Sequence, residues 1–321
     1  MKEKPPCKQV LITGGAGFIG SHLVELLLAE GHCVTVIDNL CNGQMSNLKN
    51  CKGNSRFRFI NADIRQPGNL QAICSQMDWV FHLAGLSSVR TSFEQARDYF
   101  ETNVDGTYNI LEASYNSGVQ RFIYAASSSC YGLAEQYPTP ETAPIRPASP
   151  YALTKYLGEM MVLQWAQVYN LPALSLRLFN VFGPRICTAG CEITVFGTFL
   201  RQKLRGEPFT IIGDGHQTRD FIYVTDVAEA FYEAAKSDVS NEILNVGSAS
   251  SYSVNFLAEY FGGPVIYVPE KHGEARDSLA DVDKIYRKLS WKAKVSLEEG
   301  IHRLFEHIEA QPEASRYAVI S

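Results

Sequence analysis

Several features that would narrow the class of this protein at once are missing from its sequence. No run of about twenty apolar residues is present, so no membrane-spanning helix is predicted. Positive charge is not in excess, because 29 Lys and Arg stand against 34 Asp and Glu, a formal net charge of −5. Such a balance offers no electrostatic attraction for nucleic acid or an anionic membrane, so we expect neither as a partner.

The N-terminal segment also lacks the apolar stretch of a signal peptide, because residues 1–6 are charged and then interrupted by prolines. The cysteines are not spaced for a metal. The closest two, Cys187 and Cys191, have no further ligand at short spacing, and the nearest histidine, His216, stands alone. The sequence therefore predicts a cytoplasmic protein with free thiols and no metal site.

What the sequence does contain is an alternation of apolar strands and helices. The expected strands are 8–13, 33–37, 57–60, 79–83, 122–126 and 173–178, and the expected helices are 21–30, 99–117 and 151–169. Strands that are apolar throughout lie in parallel sheets covered on both faces. The pattern predicts an α/β fold with a Rossmann-type doubly wound parallel sheet. Beyond residue 180, glycine and proline separate shorter elements, which indicates a smaller C-terminal lobe.

A glycine-rich turn joins the first strand to the first helix. The segment Gly14-Gly15-Ala16-Gly17-Phe18-Ile19-Gly20 has the spacing of a dinucleotide-binding fingerprint. Glycine permits positive φ and close approach of a pyrophosphate, and the next helix points free amides at that phosphate. Asp38 ends the second strand, 18 residues after Gly20. A carboxylate there accepts hydrogen bonds from the adenosine ribose and repels a 2′-phosphate, so NAD is predicted rather than NADP.

Tyr151 and Lys155 share one face of a helix, because they are four residues apart. Ser149 can cap this helix and Pro150 suits its first turn. A phenol has a pKa of about 10, and lowering it by ~3 units with a nearby ammonium takes roughly 4 kcal/mol. Taken alone, the spacing heavily favours an ordinary Tyr and Lys on a surface helix, so it gains meaning only together with other polar groups.

Such groups follow the strand at 122–126. The hydroxyls of Ser127, Ser128 and Ser129 lie at the carboxyl end of that strand, where parallel sheets bind their ligands. They could hydrogen-bond a substrate alcohol and relay its proton to Tyr151. Serine is also common in turns, which is the alternative explanation.

The glycine loop, the serine cluster and Tyr151-x-x-x-Lys155, in this order, resemble the extended short-chain dehydrogenase/reductase family over nearly the whole chain. The resemblance is closest to nucleotide-sugar epimerases of the UDP-hexose and UDP-N-acetylhexosamine 4-epimerase type. Further segments that carry it are 38–43, 63–64, 83–85, 103–107, 178–184 and 213–221.

The resemblance implies a set of site residues. Cofactor contacts are expected from Gly14, Gly17, Phe18, Ile19, Gly20, Asp38, Asn39, Asn42, Gly43, Asp63, Ile64, Leu83, Ala84, Gly85, Asn103, Tyr151, Lys155 and Phe179. Substrate contacts are expected from Ser87, Ser88, Ser127, Ser128, Ser129, Asn180, Arg219, Arg276 and Ser278. The catalytic residues implied are Tyr151, Lys155 and Ser127. Residues 1–180, with 221–250 returning to the sheet, would bind NAD, and residues 181–220 and 251–321 would bind the sugar nucleotide.

The implied reaction is a closed redox cycle. Tyr151 takes the C4 hydroxyl proton while hydride leaves C4 for NAD, the 4-keto sugar turns over, and hydride returns to its other face. Lys155 holds the nicotinamide ribose and lowers the tyrosine pKa. A homodimer is also implied, with helices 99–117 and 151–169 pairing across a two-fold axis.

Other reactions of the family remain as alternatives. The 4,6-dehydratases carry Asp-Glu where this chain has Ser128 and Ser129, and serine does no acid–base work at neutral pH. The same absence weighs against decarboxylation of a uronate. A UDP-glucuronate 4-epimerase, and a non-catalytic NAD-binding regulator, stay open.

Two features of a late loop bear on the substrate. Ser278 is a small residue that would leave room for an acetamido group, although an ordinary solvated serine is as good an explanation. Lys271 stands where the family usually has Arg. A lysine cannot bind phosphate in the bidentate manner of an arginine, and Arg276 could take over that contact.

Overall fold

The computed structural model describes residues 6–188, 194–269 and 276–310. Its strands are β1 (Gln9–Thr13), β2 (Cys33–Asp38), β3 (Phe57–Asn61), β4 (Trp79–His82), β5 (Arg121–Ser127), β6 (Ala173–Leu178), β7 (Asn180–Phe182), β8 (Phe209–Ile212), β9 (Thr218–Tyr223), β10 (Glu242–Val246), β11 (Ser251–Ser253) and β12 (Val265–Val268). Its α-helices are α1 (Phe18–Ala29), α2 (Leu70–Cys74), α3 (Val89–Glu94), α4 (Ala96–Phe100), α5 (Gly106–Asn116), α6 (Pro150–Val168), α7 (Val195–Arg205), α8 (Val224–Lys236), α9 (Val254–Phe261), α10 (Asp283–Leu289) and α11 (Leu297–Glu309). Among the described residues, no helix combines the length and apolar character needed to cross a bilayer.

Seven strands form one sheet in the order β3-β2-β1-β4-β5-β6-β10, and every neighbouring pair is parallel. Alternate side chains of each strand enter opposite cores. In β1, Val10 and Ile12 pack with Leu23 on the α1 side, whereas Leu11 packs with Ile110 on the α5 side. Both faces of the sheet are therefore covered by helices, and the predicted doubly wound α/β fold is confirmed.

Two of the expected helices differ from the prediction. α1 begins at Phe18, three residues before the apolar rhythm of the sequence, because the glycine-rich turn leads directly into its first turn. The helix expected at 99–117 runs from α4 into α5 through a π-helical turn at Glu101–Asp105. The hydroxyl of Thr107, in the first turn of α5, donates to the carbonyl of Asn103 in this π-helical turn at 2.7 Å. A hydroxyl bond of this kind competes with the regular helix pattern.

The later part of the chain builds a second core. β11, β9 and β7 form a three-stranded sheet, and β12 and β8 form a two-stranded one. Phenylalanine rings fill the space between these strands and α7 and α9, and Phe182 stacks on Phe196 with ring centres 4.5 Å apart. In contrast, β10 lies beside β6 in the main sheet, and α8 packs into the same core as α1.

A buried ion pair fastens α6 to the sheet. Arg177 of β6 and Glu159 of α6 meet at 2.6 Å, with side chains only 2% and 1% exposed. Glu159 also accepts a hydrogen bond from Ser175 at 2.9 Å, and Arg177 donates to the Tyr131 hydroxyl at 2.9 Å. Tyr131 in turn donates to Asn245 of β10 at 2.7 Å. The network therefore links α6, two strands and the turn that follows β5.

Replacing one partner of this pair should destabilise the protein strongly. Glu159→Gln leaves the Arg177 charge buried without its counter-ion, and we expect a loss of about 3–5 kcal/mol in the free energy of unfolding. The double variant Glu159→Leu/Arg177→Met removes both charges, so it should lose much less. Urea unfolding followed by circular dichroism measures the difference. A double variant as unstable as Glu159→Gln would contradict the assignment of this cost to an unpaired charge.

Candidate active site

The glycine-rich turn lies where the ends of β1 and β4 meet. Gly14 has a φ of +71°, and a Cβ added there would come within 2.7 Å of the Ala84 nitrogen. A Cβ on Gly20 would be 2.3 Å from the Gly14 carbonyl oxygen. Neither position tolerates a side chain, because the nearest atoms belong to backbone. The turn is thus closely packed against residues 83–86, which form the strip after β4. Gly17 precedes α1 and places no side chain over the first amides of this helix.

Asp38 is held rigidly at the end of β2. Its two carboxylate oxygens accept hydrogen bonds from the Ala16 and Leu40 amides at 2.9 and 2.8 Å. Gly43 passes so close that an added Cβ would lie 2.8 Å from either oxygen. Burial raises the pKa of Asp38, and the two amides lower it. A carboxylate has about four acceptor positions, so two remain for the hydroxyls of a ribose.

Asp63 provides a second carboxylate in the same cleft. Arg65 contacts it at 2.6 Å and Asn39 donates to it at 3.0 Å. The hydrogen bond from Arg65 is the largest influence that lowers the pKa of Asp63, to about 2. Asp63 is therefore ionised at neutral pH, and its oxygens are oriented before any ligand arrives.

Fourteen of the eighteen predicted cofactor residues border one cleft of about 1280 Å³, and Asn103, Tyr151, Lys155 and Phe179 are not among its lining residues. Those that line it are Gly14, Gly17, Phe18, Ile19, Gly20, Asp38, Asn39, Asn42, Gly43, Asp63, Ile64, Leu83, Ala84 and Gly85, together with Ser87. A cleft of this size accommodates a dinucleotide. The glycine turn, which has no Cβ atoms, leaves room for a pyrophosphate. The oriented carboxylates of Asp38 and Asp63 are suited to an adenosine, so this chain has the groups that NAD requires.

A chain of buried hydrogen bonds holds the strip after β4. Because the Thr107 hydroxyl donates to the Asn103 carbonyl, it accepts the Nε2 proton of His82 at 2.9 Å. The Nδ1 atom of His82 then accepts from the Thr13 hydroxyl at 2.7 Å, and Thr13 accepts from the Ala84 amide at 3.2 Å. Burial, followed by the charge of Lys155, lowers the pKa of His82 to about 3. The imidazole is therefore neutral, with one defined tautomer.

Asn103 supports the same strip from the π-helical turn. Its amide accepts from the Leu86 nitrogen at 2.8 Å and donates to the Leu86 carbonyl at 3.0 Å. The same amide nitrogen donates to Thr154 at 3.1 Å. In this structure Asn103 positions the cleft wall, and its contact with the cofactor stays a prediction.

Tyr151 and Lys155 lie on the first turns of α6. Ser149 caps this helix by accepting from the Ala152 amide at 3.1 Å, as predicted from the sequence. Lys155 is buried, and its Nζ atom lies 4.4 Å from the centre of the Tyr124 ring. Burial lowers the pKa of Lys155 to about 7, and the charge of Glu159 opposes this shift. Tyr151 is half-buried and contacts edge-to-face the ring of Tyr99, which lines the cleft.

Ser127 ends β5 and starts a 3₁₀ turn. Its oxygen accepts from the Ser129 amide at 3.2 Å and from the Ser129 hydroxyl at 2.8 Å. Since Ser127 is the acceptor in both bonds, its own proton is used in neither. The serine turn is therefore ordered internally, and Ser127 keeps a hydroxyl donor for a ligand.

The remaining predicted substrate residues have varied surroundings. Ser88 is buried and caps α3, because it accepts from the Thr91 amide at 3.1 Å. Asn180 donates to the Asp220 carbonyl at 3.2 Å, and Arg219 donates to the Arg276 carbonyl at the same distance. The other substrate residues are placed as follows: Ser128 is half-buried in the serine turn, Arg276 pairs with Asp214 at 2.8 Å, and the Ser278 carbonyl accepts from Ser251 at 3.1 Å. Phe179, which was predicted to contact the cofactor, is buried against Tyr131. Lys271, residues 273–275 and Cys191 lie outside the described residues.

Several lining residues were not predicted from the sequence. Tyr99, Gln95 and Thr91 reach the cleft from α3 and α4, and Arg185 reaches it from beyond β7. No motif marks these positions. Arg65 could have been found, because a basic residue two positions after Asp63 is well placed to pair with it.

Comparison with known proteins agrees with this geometry. Residues 10–247 match the model of the NAD dependent epimerase/dehydratase family. The chain belongs to this family. Its cofactor is NAD, and the extended short-chain dehydrogenase/reductase resemblance is confirmed.

Three members of the family illustrate its range. A UDP-glucose 4-epimerase structure from Thermotoga maritima, with UDP-glucose, is 37% identical, with a TM-score of 0.89 and coverage of 95% of this chain and 100% of that one. A UDP-N-acetylglucosamine 4-epimerase structure from Methanobrevibacter ruminantium is 35% identical, with a TM-score of 0.90 and coverage of 95% and 99%. A UDP-N-acetyl-alpha-D-glucosaminuronate decarboxylase from Bacillus cytotoxicus is 36% identical over 92% of this chain and 95% of its own length.

The burial of Lys155 should shift the titration of its ammonium group to lower pH. In the cofactor-free protein, the ammonium should lose its proton with a midpoint near pH 7, so that it is charged below this pH and neutral above it. NMR of the lysine ¹³Cε signals measures this, and Lys155→Met assigns the signal by its loss. Exposed lysines should titrate near 10.4 in the same spectra. A midpoint for Lys155 in that higher range would contradict the predicted effect of burial.

Proposed function

We propose that this chain is an NAD-dependent 4-epimerase of a nucleotide sugar, UDP-GlcNAc/GalNAc or UDP-Glc/Gal, which works through a transient 4-keto sugar. The proposal is carried by the cleft that fits NAD and by the residues next to its lining: Tyr151 packs edge-to-face against Tyr99, and Lys155 Nζ would lie 3.8 Å from a Cβ added to Gly85. Ser127 ends β5, two residues after Ala125 of the same lining. Two epimerase structures that cover 95% of this chain, at 35% and 37% identity, support the reaction class.

We propose roles for the three residues that are compatible with their surroundings. NAD, when bound, supplies the group that takes the hydrogen from C4 of the sugar and gives it back. Tyr151 accepts the C4 hydroxyl proton as a phenolate and later returns it. Below its pKa, the buried Lys155 is an ammonium whose charge favours that phenolate. Ser127 donates its free hydroxyl proton to the same sugar oxygen and so orients it for Tyr151.

The residues after Ser127 favour epimerisation over the other reactions of the family. Dehydration and decarboxylation need an acidic partner for further proton transfers, whereas the two positions after Ser127 are serines. The Ser129 hydroxyl is also committed to Ser127 at 2.8 Å. A non-catalytic NAD-binding regulator is disfavoured as well. Burying Lys155 on the same helix face as Tyr151 is energetically costly, and a protein that only binds NAD does not require it.

We extend the proposal to the two lobes and to the cellular location. Residues 1–180 with 221–250 would hold NAD, and the support is the packing of α8 and β10 on the main sheet. Residues 181–220 and 251–321 would hold the sugar nucleotide, with Arg219 and Arg276 at its diphosphate. A small Ser278 suits an N-acetylated sugar. The free thiols of the described cysteines agree with a cytoplasmic location.

Equilibration of UDP sugars tests the proposal directly. Purified protein loaded with NAD should interconvert UDP-GlcNAc and UDP-GalNAc, or UDP-Glc and UDP-Gal, without added reductant. ¹H NMR of each mixture distinguishes axial from equatorial C4. A protein saturated with NAD that changes none of the four sugars would contradict the substrate assignment. A product lighter by one water, or by carbon dioxide from a UDP-uronate, would favour the dehydratase or decarboxylase alternative.

Removing the Tyr151 hydroxyl should stop the reaction but leave the cofactor site intact. We expect Tyr151→Phe to lower the turnover number by about 10²–10⁴-fold, because the general base is lost. NAD content, measured by absorbance after protein denaturation, should be unchanged. Tyr286→Phe, on the distant α10, is the matched control and should keep full activity. Full activity in Tyr151→Phe would exclude Tyr151 as the base.

The outer faces of α5 and α6 support a homodimer. Their exposed apolar side chains and those of the adjoining α3 and α4 are Phe93, Phe100, Tyr108, Tyr115, Leu153, Met160, Val168 and Tyr169, each between 41% and 63% exposed. The rings of Tyr115 and Tyr169 meet across the two helices at 5.1 Å. An apolar patch of this kind on one surface is typical of an interface, and we assign it to a second copy of this chain.

Charge placed in this patch should separate the two copies. Wild-type protein should sediment as a dimer, and Met160→Glu/Val168→Glu should shift it toward monomer, because both side chains would be buried at the interface. Tyr286→Glu, which alters an exposed apolar residue on α10, should leave the dimer unchanged. Sedimentation velocity at micromolar concentration measures all three. A monomeric wild-type protein would refute the dimer.

A further inference from the structure

Two cysteine thiols are in contact at the end of the main sheet away from the cleft. Cys7 precedes β1 and is exposed, and Cys33 is the first residue of β2 and half-buried. Their sulfur atoms are 3.8 Å apart. The proposed epimerase reaction uses neither side chain, so the contact needs an explanation of its own.

Backbone hydrogen bonds hold this pair together independently of the sulfur atoms. The Cys33 amide donates to the Lys8 carbonyl at 2.9 Å, and the Lys8 amide donates to His32 Nδ1 at 3.1 Å. Gln9 pairs with Cys33 in the register of β1 and β2. These contacts keep residues 7 and 33 adjacent whatever the oxidation state of their thiols.

Only a small movement separates this contact from a covalent bond. A disulfide has an S–S distance of about 2.05 Å, so the sulfur atoms must approach by about 1.8 Å. Cys7 lies outside the strands, in the segment that leads into β1. It can therefore turn toward Cys33 without breaking the pairing of β1 with β2.

We propose that Cys7 and Cys33 are an oxidation site, at which a low-molecular-weight disulfide converts the two thiols to an internal disulfide. The exposed Cys7 thiolate attacks one sulfur of the small disulfide and releases its first thiol. The Cys33 thiolate then attacks the Cys7 sulfur and releases the second. Two protein thiols are oxidised, one small disulfide is reduced to two thiols, and the two cysteine protons end on those leaving groups.

The surroundings of Cys33 set the order of these steps. Burial and the hydrogen bond with Cys7 raise the pKa of the Cys33 thiol, while the Gln9 side chain and the Arg56 charge lower it. Because the thiolate is the nucleophile, a raised pKa disfavours Cys33 as the first attacking group. Cys7 is the more accessible thiol, and Cys33 is in place to complete the exchange.

The disulfide would act on stability and not on catalysis. It closes a loop around β1 and α1, which restricts the unfolded chain. β2 separates Cys33 from Asp38 by five residues, or roughly 17 Å. We therefore expect a rise in Tm of about 4–8 °C on oxidation, reversed by a thiol reductant, with unchanged turnover.

Peptide mapping of the full-length protein after incubation with oxidised glutathione tests this proposal. Trypsin followed by cleavage before Asp38 separates Cys33 from Cys41, so Cys7, Cys33 and Cys41 are on three different peptides. The expected product is the Cys7 peptide linked to the Cys33 peptide, two hydrogens lighter than their sum. Cys41→Ser should form the same link as wild type. Cys33→Ser should form no internal link and should retain glutathione on Cys7.

Three results would overturn the proposal. The first is wild-type protein in which glutathione stays on Cys7 without formation of the internal link. The second is a link that joins two chains. The third is an internal link with no rise in Tm. Because these readouts do not involve the UDP sugar, they are independent of whether the proposed epimerase activity is found.

Discussion

The buried pair between Arg177 and Glu159 is the interaction on which the arrangement of the site depends. Ser127 ends a strand, whereas Tyr151 and Lys155 belong to a helix that begins more than twenty residues later. Packing must bring these elements together. Arg177 neighbours Ala126 in the sheet and bonds Glu159, which lies one helical turn beyond Lys155. This ion pair therefore ties α6 to the strand beside the serine turn.

The same pair contributes to the charge balance around Lys155. Burial disfavours the ammonium form, and the nearby Glu159 carboxylate opposes this effect. Arg177 of β6 compensates that carboxylate, so Glu159 offsets only part of the effect of burial on the pKa of Lys155. A lysine with a pKa of about 7 is easily moved in either direction by a ligand, whereas an exposed lysine remains an ammonium at all physiological pH values. The site thus combines a fixed ion pair with a lysine whose protonation a bound ligand can change.

Sequence reasoning predicted the parts of this site that depend on local rules. The glycine turn, Asp38 at the end of β2, and the capped helix with Tyr151 and Lys155 all have short-range signatures. The parallel sheet follows from apolar strands alternating with helices. These features require only the geometry of one strand, one turn or one helix, which the order of residues expresses directly.

The features that sequence reasoning missed depend on contacts between distant segments. Helical periodicity does not reveal the π-helical turn at 101–105, or the bond from the Thr107 hydroxyl to the Asn103 carbonyl beside it. The neutral state of His82 depends on Thr13 and Thr107, which lie far from it in the chain. Glu159 and Arg177 look like ordinary charged residues until the fold buries both. Tyr99 reaches the cleft only because α4 is continuous with that turn.

In the proposed cycle, the hydrogen at C4 leaves the sugar and returns to the same carbon. Epimerisation of UDP-glucose or UDP-GlcNAc deuterated at C4, in ordinary water, tests it most directly. The product of inverted configuration should retain deuterium at C4, as measured by mass spectrometry and ²H NMR. Replacement of that deuterium by solvent hydrogen during epimerisation would contradict the account, because C4 would then be inverted by proton exchange with water.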